Sequence, residues 1–167
     1  HFRIGSISKT FTATAIFQQI DAGRLTLDDT LDMFLPDILA RMPNRSYWPG
    51  GTIANSDRIT VRHMLMMRSG IFDYTMDSAY GIAITLFLTA QTFTRDWLLG
   101  QVESHGSLFE PGAQYFYCNT NYLLLGLIVE AVTGRGVHDL IREDICVPLG
   151  MLETSRPNGS TIPAPSI

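Results

Sequence analysis

The chain has 167 residues, of which 46% are hydrophobic and 17% charged, with a formal net charge of -4. That length and apolar content suit one domain with a substantial core and exclude a disordered chain. The acidic balance, with no Lys/Arg-rich stripe to displace counterions from phosphates, argues against nucleic acid as a partner, and no apolar run approaches the roughly 20 residues that cross a bilayer.

The predicted elements are almost all helical. Phe11, Ala15, Ile16 and Ile20 recur at helical spacing from Gly5-Ser6, and Gly23 offers a C-terminal stop, so residues 6–21 are read as the first helix. Thr26 followed by Asp29 resembles a capping box for a short helix through Leu31 and Phe34, which Pro36 closes. Residues 42–57 are rich in Pro, Gly, Asn and Ser and carry Tyr47 and Trp48. They read as the rim of a substrate cleft or, the favoured reading, as a surface loop whose aromatics pack back on the core. Thr60 starts a helix over 61–67 that Ser69-Gly70 ends. Residues 77–89 are read as helix despite Gly81, and Thr94 caps a helix over 95–104 with Trp97, Leu98 and Val102 on one side.

After Glu110-Pro111-Gly112 the chain runs extended through Tyr115-Phe116-Tyr117. Thr120 then opens a helix over 121–132 that is apolar on nearly every side and so should be buried, with Gly134 at its end. Val137, Leu140, Ile141 and Ile145 mark a last amphipathic helix, and 157–167 reads as a loop. Cys118 and Cys146 belong to no spacing motif, and free thiols are the favoured reading. Strand pattern is almost absent, so the chain is read as mainly α. It starts at His1 inside structured sequence with no leader pattern, which reads as a cut protein or a fragment.

Chemistry enters through a scarcity. Of the twelve Lys and Arg residues only Lys9 is a lysine, and it stands three residues after Ser6. Arginine keeps its proton in a protein, whereas lysine gives its proton up where the surroundings disfavour charge. On a helix, positions i and i+3 share a face one turn apart, so the amine reaches the hydroxyl as a base reaches a nucleophile. An arginine-biased composition and chance spacing are the competing explanations. Tyr117-Cys118-Asn119 forms a second constellation where the extended segment meets the buried helix. Alternate positions there face one side, tyrosine can relay a proton, and asparagine offers an amide both donor and acceptor. Taken singly, a core tyrosine with a bonded hydroxyl and a helix-capping asparagine are the commoner explanations. Taken with Ser6 and Lys9, they require two coincidences.

Four blocks stand in the order found in the serine β-lactamase and penicillin-binding superfamily. They are Phe2-Arg3-Ile4-Gly5-Ser6-Ile7-Ser8-Lys9; Asp21-Ala22-Gly23-Arg24-Leu25-Thr26-Leu27-Asp28-Asp29; Ile59-Thr60-Val61-Arg62-His63-Met64-Leu65 with Arg68-Ser69-Gly70; and Phe109-Glu110-Pro111-Gly112 through Tyr117-Cys118-Asn119-Thr120-Asn121-Tyr122. The chain resembles the class C β-lactamase-like branch. Within that branch it is most similar to secreted serine D-alanyl-D-alanine carboxypeptidases, through Arg68-Ser69-Gly70-Ile71-Phe72-Asp73-Tyr74-Thr75 and Leu152-Glu153-Thr154.

The resemblance implies the helical portion of an α+β β-lactamase/DD-peptidase-like fold with most of the β-sheet missing. Residues 1–167 are then one incomplete domain: nucleophile helix 6–21, helical region 22–109, Tyr-x-Asn motif and buried helix 110–133, final helix and loop 134–167. It also implies a serine acyl hydrolase. Ser6 would attack an amide or ester carbonyl, its own N–H supplying half of the oxyanion hole, and a neutral Lys9 would take its proton. Tyr117 would protonate the leaving group, Asn119 would hold the substrate amide and orient Lys9, and water would release the acyl group. The implied partner is a D-Ala-D-Ala peptide, a β-lactam or an ester. Neither cofactor nor metal is implied, and the implied location is secreted or periplasmic.

Some positions depart from the pattern. The third motif, Lys-Thr-Gly or His-x-Gly on a strand, does not occur after Asn119, so residues 1–167 alone are expected to be inactive or nearly so. His105-Gly106-Ser107 is a decoy, because it precedes the tyrosine motif. Met67 stands where a histidine often precedes the Ser-Gly turn, and Cys118 replaces a serine or alanine. The alternatives to a carboxypeptidase are a class C-like β-lactamase or esterase, a penicillin-binding sensor that acylates without turnover, and a non-catalytic helical module.

Overall fold

A 3-10 turn at Gly5–Ile7 leads into helix α1, Ser8–Asp21, in a computed structural model that describes residues 2–42, 46–86 and 93–156. Helix α1 buries Ala15, Ile16 and Gln19, with Phe11 and Ile20 partly covered beside them, as the apolar spacing requires.

The next stretch corrects the sequence reading. Thr26 does engage Asp29, through its N–H at 2.8 Å and its hydroxyl at 2.6 Å, yet no helix follows directly. The Leu27 and Asp29 carbonyls accept instead from the N–H groups of Arg62 and Val61, and Leu31 N–H donates to Ile59. Tertiary partners have taken the groups a helix would need. Leu31–Met33 forms a 3-10 turn, and Pro36 lies in the first turn of α2, Leu35–Ala40, which it opens rather than closes. A first-turn N–H has no helical partner, so its absence costs nothing there.

Helix α3, Val61–Leu65, starts as expected at Thr60, whose hydroxyl accepts from the His63 N–H while His63 Nδ1 accepts from the Thr60 N–H. Loop 46–57 follows the favoured reading at Trp48, which is fully buried with its Nε1–H donating to the Thr52 carbonyl at 3.2 Å. Tyr47 is exposed. Glu103 holds this loop through the N–H groups of Gly50 and Thr52 and the Thr52 hydroxyl.

Helix α4, Ser78–Leu86, begins after Asp77, whose carboxylate accepts from the Ala79 and Tyr80 N–H groups. The rest of the helix expected over 77–89, like the loop expected over 157–167, lies outside the described residues. Helix α5, Arg95–Glu103, buries Asp96, Leu99 and Val102. Its inner stripe is therefore centred on Leu99, whereas Trp97 and Leu98 lie on the half-buried flank, where Trp97 stacks on Phe93.

Helix α6, Asn119–Thr133, is the axis of the core. It buries Leu124, Leu125, Leu127, Ile128 and Val129, packs against α1, α2, α3 and α5, and ends at Gly134 with φ 74°. Helix α7, Val137–Ile141, also packs on α6 and runs on into a wider π-helical turn at Arg142–Cys146. Buried Glu130 joins the last three helices, bonding the Arg95 guanidinium and accepting from the Val137 N–H at 3.0 Å.

Cys118 and Cys146 are buried free thiols. About half of the described residues are helical. Strand pairing among the described residues amounts to two isolated antiparallel bridges, Thr30 with Thr60 and Ile71 with Ser107. None of the described helices is long and apolar enough to cross a membrane.

Candidate active site

Ser6 lies in the 3-10 turn, two residues before α1 proper, and is exposed. Gly5 immediately before it has φ +51°, a conformation that L side chains rarely adopt, and the Ser8 hydroxyl donates to the Gly5 carbonyl at 2.7 Å. This entry sets Ser6 at the open end of the helix. One turn on, Lys9 Nζ donates to Ser6 Oγ at 3.1 Å, the i, i+3 contact expected from the spacing.

The tyrosine motif is held by a strap of residues 67–75. Met67 takes φ 57°, a left-handed conformation that costs a non-glycine residue roughly 1–2 kcal/mol. Its carbonyl accepts from the Phe116 N–H, and its sulfur lies 3.4 Å from the Cys118 N–H and 3.5 Å from Asn121 Nδ2. Ser69 Oγ donates to Asn121 Oδ1 at 2.6 Å, both residues fully buried. Cys118 Sγ donates to the Ile71 carbonyl. Thr120 Oγ1 donates to the Phe72 carbonyl and accepts from the Tyr74 N–H. Asp73, 3% exposed, accepts on one oxygen from the backbone N–H and Nδ2 of Asn119, at 2.9 and 3.0 Å. Residues 116, 118, 119, 120 and 121 are thus each tied to the strap, which fixes where the start of α6 points.

The four residues singled out from sequence meet at one place. Tyr117 OH donates to Ser6 Oγ at 2.7 Å, and Lys9 Nζ donates to Asn119 Oδ1 at 2.8 Å. The Lys9 nitrogen also lies 5.0 Å from the Tyr117 ring centroid and 5.9 Å from that of Tyr122, within cation–π range. Hydrogen bonding with Lys9, then with Ser6, holds the Tyr117 pKa below that of an ordinary phenol. Neighbouring groups behave oppositely: burial pushes Tyr74 up to about 12 and Cys118 up to about 11. Tyr117 is 42% exposed, so the Ser6–Tyr117 pair faces solvent where a substrate can reach it.

Asp73 was not singled out from sequence. Its one local signal is Asp73-Tyr74-Thr75, where the carboxylate accepts from the N–H two residues on, the signature of an Asx turn. Its partner 46 residues away leaves no sequence trace. The decoy segment has structural work of its own: His105 bonds Asp77 at 2.6 Å and stacks on Phe72, and Ser107 Oγ donates to the carbonyls of Gly70 and Phe109. The described residues contain no group of three or more His, Cys, Asp or Glu side chains able to hold a metal ion.

The chain is 31% identical over 155 residues to penicillin-binding protein 4 of Amycolatopsis lactamdurans, covering 90% of this chain and 34% of that protein. It is 32% identical over 150 residues to a D-aminopeptidase of Brucella anthropi, covering 89% and 25%. Among solved structures, a D-stereospecific amidohydrolase from Streptomyces superposes with a TM-score of 0.77 at 35% identity, covering 89% of this chain and 42% of that one. The chain therefore spans about a third of the length of the curated relatives it matches. The Beta-lactamase family model matches residues 1–160, and the chain belongs to that family, within the serine β-lactamase and penicillin-binding-protein superfamily.

Proposed function

We propose that the protein is a serine acyl hydrolase that passes through an acyl-enzyme on Ser6 and cleaves an amide bond next to a D-configured residue, as a D-alanyl-D-alanine carboxypeptidase-like peptidase. The observation that carries this reading is the double engagement of Ser6 Oγ, by Tyr117 OH at 2.7 Å and Lys9 Nζ at 3.1 Å. A serine bonded by two proton-transfer groups at an exposed helix start is equipped to attack a carbonyl. Lys9, within hydrogen-bond reach of Ser6 Oγ, is the group placed to receive the Ser6 proton. Tyr117 holds its own proton less tightly than an ordinary phenol, which suits it to protonate the leaving nitrogen. Asn119 keeps Lys9 in place through Oδ1 and has one N–H left for a substrate carbonyl.

The preference for a D-configured substrate is supported by the similarity to proteins named a D-aminopeptidase and a D-stereospecific amidohydrolase. A secreted or periplasmic location rests on the family likeness alone.

The test is turnover of a D-Ala-D-Ala peptide, a D-amino acid amide, nitrocefin and a nitrophenyl ester by the gene's full-length product, beside its Ser6→Ala variant and residues 1–167 alone. Release of D-alanine or ammonia by the full product, lost in the Ser6→Ala variant, is expected, with little turnover by residues 1–167. Hydrolysis of nitrocefin or ester alone would replace the peptidase reading by a β-lactamase or an esterase. Unaltered turnover in the Ser6→Ala variant would overturn the mechanism.

A further inference from the structure

A carboxamide can lie either way round, and its orientation decides whether the neighbouring amine meets an acceptor or a donor. At Asn119 the oxygen faces Lys9 at 2.8 Å, while Nδ2 donates to Asp73 Oδ2 at 3.0 Å. A carboxylate only accepts, so the Asp73 side holds the NH2 end and leaves the oxygen end for Lys9. Asp73 has little freedom of its own. Its other oxygen accepts from the Thr75 N–H and hydroxyl, both at 2.9 Å, and its flanking backbone is bonded on both sides to Thr120.

We infer that Asp73 is a positioning residue: it sets the orientation of the Asn119 amide and, through it, the place of Lys9 beside Ser6. The inference rests on the acyl-hydrolase reading for its effect on rate, although the orientation itself is independent of that reading. Asp73 Oδ2 also accepts from the Asn119 backbone N–H, so it caps α6 as well. A purely capping role would cost stability without turning the amide.

The Asp73→Asn change separates the two roles. The introduced carboxamide is isosteric with the carboxylate but keeps only one acceptor oxygen: placed on the Thr75 N–H, that oxygen leaves an NH2 facing Asn119. Either two donors then face each other, or Asn119 turns over and its own NH2 meets Lys9.

The experiment measures the rate of Ser6 acylation by a fluorescent penicillin in the full-length product, for wild type, D73N, N119A and the double variant. It also follows the Asn119 side-chain amide protons by NMR, assigned by their loss in N119A. D73N is expected to slow acylation by up to roughly 100-fold, the loss that follows from displacing a reacting group by about 1 Å. The double variant is expected to be no slower than N119A alone, because Asp73 acts through Asn119. One Asn119 amide proton should be shifted downfield and protected in wild type and ordinary in D73N. The smaller D73S serves should D73N not fold. Losses that multiply in the double variant, or Asn119 amide signals unchanged by D73N, would overturn the inference. Absence of any Ser6 labelling in wild type counts against the acyl-hydrolase reading, and the NMR measurement then still decides the orientation.

Discussion

Ser6 and Lys9 were legible because their contact is local: the 3.1 Å bond spans three residues, and helical geometry alone dictates it. Tyr117 and Asn119 were legible as types in a motif, but the distances that unite them with Ser6 and Lys9 depend on contacts across more than a hundred residues. The Tyr117→Phe change tests the residue scale. It keeps the ring beside Lys9 and removes only the hydroxyl on Ser6, so acylation should slow by roughly 10²- to 10⁴-fold while KM moves little; an unchanged rate would remove Tyr117 from the proton path. Cys118 offers a second prediction from the same motif. With its pKa pushed up to about 11 by burial, only about 0.1% of the thiol is ionised at pH 8, and the side chain is enclosed. Iodoacetamide at pH 8 should therefore leave Cys118 unmodified in the native protein and alkylate it once urea unfolds the chain. Rapid native alkylation would mean that the start of α6 opens readily.

At the level of elements, what the sequence disclosed follows how local each signal was. Helix α6 could be read because its run from Leu123 to Val132 is long and apolar, and α1 because its stripe repeats. Residues 27–31 were misread because the Thr26–Asp29 box is real but the backbone beyond it pairs with 59–62, a tertiary claim that no local pattern announces. Residues 68–75 carried the family resemblance in sequence, but their bonds to residues 119–121 were not legible there for the same reason. Gly70 is the strap's tightest point: φ is +76°, and a Cβ there would lie 2.0 Å from the Phe109 carbonyl oxygen. The Gly70→Ala change should therefore destabilise the protein by more than about 1 kcal/mol, measured by urea unfolding, and should slow Ser6 acylation as well. Lost stability with acylation intact would show that the strap does not set the site.

For the molecule as a whole, composition and periodicity indicated a mainly helical chain. They could not reveal that five helices pack on α6 or that the site lies where the starts of α1 and α6 converge. Stability against acid tests this packing through Asp77, which joins the start of α4 to His105. Burial raises the Asp77 pKa, but bonds from His105 and from the Ala79 and Tyr80 amides outweigh it, and the net value lies below the ordinary 3.8. A depressed folded-state value contributes stability that is fully present above the unfolded value and lost as pH falls through the folded one. Asp77→Asn should thus lower stability near neutral pH and flatten its decline below about pH 4; an equally steep acid limb in the variant would show that Asp77 is uncoupled from folding. The central claim is that Ser6, held by Lys9 and Tyr117, is the group that becomes acylated. The most direct measurement is mass mapping after reaction of the full-length product with a penicillin. Trypsin, cutting after Arg3 and Lys9, releases residues 4–9, which contain both Ser6 and Ser8. The expected result is one acyl adduct on that peptide, placed on Ser6 by fragmentation and absent from the Ser6→Ala variant; an adduct on Ser8 or on another peptide, or none at all, would contradict it.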